Sequence, residues 1–166
     1  MFFKLIHGDD PERWGAIGFS QSPGYCNSAD RVLLGVSKTA PGKHPLRGKI
    51  FGWCTFHVCQ HALRDLACPD MRALHPHVEE KWPIGIPIKD YQRFAAGHEF
   101  NYSEVDVLAR RARHNLVRVY DMEEVIEQIP ATPVAVQYQS PSLRLYLKSF
   151  DRVVPLSNGD SIEARP

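Results

Sequence analysis

The chain has 166 residues, a formal net charge of +1, 43% hydrophobic and 23% charged residues. A length near 150 residues sets one domain as the expectation, 1–166, with room for a real hydrophobic core. The near-neutral balance excludes a polycation, so any anionic partner must be met by a local patch.

The four cysteines, Cys26, Cys54, Cys59 and Cys68, are too few for a disulfide scaffold in a chain of this size. The start, Met1 to Ile6, meets His7-Gly8-Asp9-Asp10 too soon for a secretory signal. No apolar run approaches the roughly 20 residues of a membrane helix. The expectation is a cytoplasmic protein with no membrane partner.

In chain order, Phe2 to Ile6 predicts a first strand, stopped by Gly8-Asp9-Asp10-Pro11, which is turn chemistry. Residues 11 to 28 predict a loop or short helix carrying Trp14, Phe19 and Tyr25. Arg31 to Ser37 is an apolar run of buried-strand length. Lys38 to Gly48 is a loop by its prolines and glycines, and a basic one, with Lys38, Lys43, Arg47 and Lys49 around His44. Lys49 to Phe56 predicts the next strand, and His57 to Ala67 a helix with Val58, Ala62, Leu63 and Leu66 on one face. Trp82 to Ile88 predicts a strand despite Pro83 and Pro87, which strand starts, edges and bulges tolerate. Glycines inside these strands, Gly35, Gly52 and Gly85, mark close approach of a ligand or another backbone.

The second half predicts a helix from an N-cap at Ser103 to about His114, with Arg110, Arg111 and Arg113 in its later turns. A short strand or helical continuation covers Leu116 to Tyr120. Asp121 is the expected cap of a helix from Met122 to Ile129, stopped by Pro130. Val134, Val136 and Tyr138 alternate with polar residues, as do Leu143, Leu145 and Leu147, which predicts two antiparallel strands. Val153 to Leu156 adds a last short strand. The fold class is α+β, a small curled sheet or pseudo-barrel of five to seven strands with short peripheral helices.

The order Phe2–Ile6, Asp30–Ser37, Lys49–Phe56 and Trp82–Asp90 resembles the PUA-like superfamily, in particular its EVE and YTH branches. Asp30–Ser37 stands where that family has its Gly-Asp strand, here Ala29-Asp30. Lys49–Phe56 stands at its hydrophobic-x-Gly-x-aliphatic element. The resemblance covers about residues 2–94, with 100–166 completing the barrel or decorating it. It implies a binding module, not an enzyme, that reads a modified base. The base, in DNA or RNA and most simply in DNA, is flipped into an aromatic pocket, in a defence or restriction context with any nuclease or effector encoded separately.

A flipped base costs a few kcal/mol of lost stacking, which a pocket recovers through aromatic walls and edge-reading polar groups. Trp14, Trp53 and Trp82, with Phe19 and Tyr25, are the candidate walls; Ser20, Gln21, Ser22, Asn27 and Asp30 are the candidate edge readers, and Ser37 is a further candidate pocket residue. Lys38, Lys43, Arg47, Lys49, Arg110, Arg111 and Arg113 are the candidate phosphate contacts. Each also has an ordinary use: tryptophans fill cores, Asn and Asp cap turns, and cations sit at helix C-termini.

Two enzyme readings stand beside this one. An ASCH-like hydrolase of a modified nucleoside would, by resemblance, use Lys38, Thr39 and Glu79 or Glu80. A zinc-dependent hydrolase would draw on Cys54, His57, Cys59, His61, Cys68, His75 and His77. That set is dense but lacks paired Cys-x-x-Cys spacing, so no cofactor is expected. No Ser-His-Asp motif, phosphate-binding glycine loop or paired-carboxylate signature appears.

Overall fold

A computed structural model describes residues 1–23, 26–57, 61–62, 73, 76–104 and 116–138. Nine strands form one sheet, and three short helices and a 3-10 turn accompany it among these residues. The strands are β1 (Phe2–Ile6), β2 (Ala16–Phe19), β3 (Val32–Val36), β4 (Lys49–Phe56), β5 (His61–Ala62), β6 (Ile84–Phe94), β7 (Phe100–Asn101), β8 (Val117–Arg118) and β9 (Ala131–Pro133). The helices are α1 (Pro11–Trp14), α2 (Val78–Lys81) and α3 (Glu123–Glu127). The main path runs β2-β6-β4-β3-β1-β8, with β5 and β9 on β6 and β7 on β4. No helix among the described residues is long and apolar enough to cross a membrane.

The expected α+β class with a curled sheet holds. β1 and β3 are parallel, with Phe2 opposite Val32 and Ile6 opposite Val36. β4 runs antiparallel to β3 and to β6. The curl originates in β6. Its first residues pair with β2 and β5, and its later ones with β4 and β9. The handover falls at Pro87, which has no N–H to give a ladder but whose carbonyl accepts the His57 N–H at 3.0 Å. Register shifts fall between Leu34 and Gly35 and between Thr55 and Phe56, leaving Phe51 and Lys89 as extra residues. Such bulges bend a strand and increase its twist.

The sheet therefore has an inner and an outer face. Phe2, Phe19, Val32, Leu34, Phe51, Cys54, Ile88 and Tyr91 belong to the inner cluster. Phe3, Leu33, Ile50, Phe94, Tyr102 and Ile126 belong to the outer one, under α3. Gly35 and Gly52 serve packing within the sheet. A Cβ on Gly52 would lie 2.3 Å from the Gln92 carbonyl oxygen, and one on Gly35 would lie 2.8 Å from the Phe3 ring. Their close neighbours are backbone and a core ring.

Several local expectations are corrected. Residues 16–19 form β2, because Gly18 pairs with Gly85 and Phe19 with Ile84. His61–Ala62 is strand, with His61 opposite Gly85, where a helix was expected; the expected first residue, His57, is not helical, and 58–60 and 63–67 lie outside the described residues. Asp121 does not cap α3: its backbone is left-handed, with φ 58°, and the cap position is Met122. Val134, Val136 and Tyr138 form no strand, and the ladder is made by Ala131–Pro133 before them. The C-terminal part of the Ser103 helix and the strands at 143–147 and 153–156 lie outside the described residues; Tyr102–Glu104 is a 3-10 turn.

Candidate functional site

β1 and β3 end side by side, since the Ser37 N–H donates to the Ile6 carbonyl at 2.8 Å. Beyond this end the chain makes the Gly8-Asp9-Asp10 turn, and Pro11, already fixed in φ, starts α1. Gly15 closes α1 in the left-handed conformation, at φ 71°. Its carbonyl accepts the Ile88 N–H at 3.0 Å, so α1 is fastened across β6.

Asp9 is the centre of this end. Its Oδ2 accepts from Arg93 Nη2 at 2.6 Å, its carbonyl accepts from Arg93 Nη1 at 2.7 Å, and its Oδ1 faces His44 Nε2 at 3.1 Å. Burial alone would raise the Asp9 carboxyl, but Arg93 and His44 together hold it below its ordinary range. His44 belongs to the basic loop, so Asp9 ties that loop to the end of β1. Two residues before Asp9, the His7 ring meets the half-buried Trp82 indole edge-on, with centroids 5.0 Å apart.

Glu12 and Tyr91 stand in the same neighbourhood. Tyr91 is 2% exposed, and among the described residues its hydroxyl and Glu12 Oε2 are buried without a hydrogen-bond partner. An unsatisfied buried polar atom costs about 1–3 kcal/mol. Burial raises the Glu12 carboxyl, and Asp10 adds to it. Burial also raises the Tyr91 phenol, and Glu12 is the foremost charge acting with it. The Tyr91 hydroxyl is therefore protonated, and free to donate. A further buried charge lies on the inner face: Lys4, 2% exposed, sets its Nζ 4.5 Å from the Phe19 ring centroid. Burial pushes its amine down to about 8.

The expected aromatic walls do not gather in one place. Phe19 is fully buried and packs edge-on to Phe56 at 6.0 Å. Trp53 lies against the outer cluster, with the Arg31 guanidinium 5.1 Å from its ring. Trp14 is half-buried beside Arg13, whose guanidinium is 5.2 Å from its ring. Tyr25 lies outside the described residues. Of the walls, Trp82 stands beside the Asp9 end.

Several of the expected pocket residues have local duties. Asn27 and Asp30 close a turn, in which the Asn27 N–H donates to Asp30 Oδ2 at 2.9 Å and the Ala29 N–H to Asn27 Oδ1 at 3.0 Å. Ser37 Oγ pairs with Thr39 Oγ1 at 2.9 Å. Asp30 also lines an open cleft of about 290 Å³ with Phe2, Arg118, Val119 and Tyr120. That cleft is at the opposite end of β1 and β3 from Asp9.

In the basic loop, Arg47 donates to the Ala40 and Gly42 carbonyls and so shapes the loop. Lys38 lies along Gly48 with its Nζ 5.5 Å from the Tyr102 ring. Lys49 is half-buried in β4, opposite Asn101. Lys43 is exposed next to Gly42, where an added Cβ would meet nothing within 4 Å. Arg110, Arg111 and Arg113 lie outside the described residues.

Lys38 faces Tyr102, Thr39 faces Ser37, and Glu80 faces His77 at 3.1 Å, so these contacts do not assemble the hydrolase trio. Of the cysteine and histidine cluster, Cys54 is fully buried and His57 meets Tyr138 edge-on at 6.4 Å. The side chains of Cys59, His61, Cys68 and His75 lie outside the described residues, and among those described no three ligating groups are set to hold a metal.

Sequence reasoning missed Asp9, Glu12, Tyr91, Arg93 and Lys4. Only Lys4 carried a signal, a charge inside the apolar run Phe2-Phe3-Lys4-Leu5-Ile6. No protein-family model matches the chain, and no curated protein and no solved structure matches it.

Proposed function

We propose that this protein binds nucleic acid, most simply DNA, and holds one modified base at the Asp9 end of the curled sheet. The observation that carries the reading is the Asp9 junction. It links a loop with an exposed lysine to the end of β1, where the Trp82 indole and two unsatisfied polar groups stand. Those are the parts a flipped base needs: a stacking surface, edge-reading groups and a cationic approach. The PUA-like resemblance supports it as well, since a curled sheet with short helices is the architecture it implies. In this reading the chain is a binding module, and strand cleavage, in a defence or restriction setting, belongs to a separate effector.

Tryptophan fluorescence titration tests it. The probes are otherwise identical oligonucleotides, single- and double-stranded, carrying cytosine, 5-methylcytosine, 5-hydroxymethylcytosine, adenine or N6-methyladenine. One modified probe should quench and bind more tightly than its parent, with affinity falling as salt rises. Trp82→Leu should remove most of the quench. Absence of binding by every probe at low salt overturns the proposal.

A further inference from the structure

Buried polar atoms are normally paired, and each one left unpaired calls for an explanation, such as a water, an ion or a bound ligand. Tyr91 Oη and Glu12 Oε2 are such atoms, from two elements that are fastened together. The Gln137 N–H donates to the Glu12 carbonyl at 2.8 Å, and the Ile88 N–H to that of Gly15 at 3.0 Å. The backbone under Glu12 is therefore held in place against its neighbours. Glu12 is the foremost charge raising the Tyr91 hydroxyl, and among the described residues no hydrogen bond joins the two.

We propose that Glu12 and Tyr91 read the edge of the bound base, Glu12 Oε2 accepting an exocyclic amine N–H and Tyr91 Oη donating to the adjacent ring nitrogen. This deepens the base-binding reading and rests on it. The choice of an amine follows from charge. Asp9 and Asp10 both act on the Glu12 carboxyl, so a donor with partial positive charge is favoured beside it. Arg93 opposes them but is engaged by Asp9. The ligand class is an aminopyrimidine or aminopurine that keeps at least one hydrogen on its exocyclic nitrogen. A dialkylated amine keeps the acceptor and loses the donor.

Binding is measured for oligonucleotides containing adenine, N6-methyladenine, N6,N6-dimethyladenine, cytosine, 5-hydroxymethylcytosine and N4,N4-dimethylcytosine, on the full chain, Tyr91→Phe and Glu12→Leu. The full chain should bind its preferred base at least about tenfold more tightly than the dimethylated counterpart, the worth of one hydrogen bond to a charged group. Both variants should lose most of that preference. Tyr91→Phe keeps the ring and deletes an unpaired hydroxyl, so it should melt at or above the temperature of the full chain. A full chain that prefers its base while both variants keep the full preference overturns this assignment alone, as does a Tyr91→Phe that melts several degrees lower. A full chain that binds no probe overturns the base reading, and this assignment with it.

Discussion

Phe3, Leu33 and Ile50 turn to one face of the sheet and Phe2, Lys4 and Leu34 to the other, although they come from the same few strands. The outer face is apolar and aromatic, closed by Tyr102, Val119 and Ile126. The inner face carries a buried amine and, towards the Asp9 end, a hydroxyl and a carboxylate oxygen without partners. Burial of such groups opposes folding. Both faces bury an apolar cluster, and the inner one in addition holds polar groups out of water.

Truncation of the outer face gives the largest expected effect. Leu33 is fully buried there. Leu33→Ala should destabilise by about 2–5 kcal/mol, read as a lower urea midpoint with an unchanged slope. A loss below about 1 kcal/mol would mean that the outer face is loosely packed, and the contrast between faces would fail.

The inner face should respond with the opposite sign. Lys4 sits at about 8 instead of the model-compound 10.5. Between those values the unfolded chain keeps a proton that the folded chain has released. Stability should therefore rise with pH from about 8 to 10.5 and stay at its lower level beneath that window. The full rise is on the order of 3 kcal/mol, reduced by whatever the Phe19 ring returns to the ammonium. Lys4→Met should flatten the rise, and a rise that persists in the variant would mean that another group carries it.

The same contrast explains what could be read from residue order. β1, β3 and β4 were legible because each is an apolar run between turn residues. β2 was not: Ala16-Ile17-Gly18-Phe19 is short and glycine-broken, and becomes a strand only because β6 supplies a partner. The second half of β6, Lys89-Asp90-Tyr91-Gln92-Arg93, reads as polar, yet Asp90 to Arg93 pair with β4 residue for residue. The side-chain parity of β4 and β6 breaks at Phe51 and Lys89, and no local pattern announces a bulge. The tryptophans were visible by type, but Trp53 takes the outer face. Tyr91 and Glu12 lie 79 positions apart, and the fastening of α1 to β6 through Gly15 and Ile88 is invisible in residue order.

Asp9 probes the junction that supports the inner end. Its carboxyl is held below the ordinary 3.8 by Arg93 and His44. The stabilisation is present above that value and is lost as pH falls through the lower folded one. The group is partly exposed, so Asp9→Asn should cost only about 1 kcal/mol near neutrality. The variant should also lose part of the steepness of acid unfolding. Its second readout is sharper: with the loop released from β1, oligonucleotide affinity should fall although no phosphate contact has been removed.

Lys43 gives the smallest effect on folding and separates the loop's charge from its shape. It is exposed, whereas Arg47 is committed to the Ala40 and Gly42 carbonyls. Lys43→Ala should therefore leave stability within about 0.5 kcal/mol. If Lys43 meets a phosphate, the slope of log affinity against log salt should lessen by about one, equally for modified and unmodified probes. Arg47→Ala should instead disturb stability and affinity together, because it unfastens the loop. An unchanged slope for Lys43→Ala would move the cationic approach away from this loop while leaving the inner-face polar pair intact.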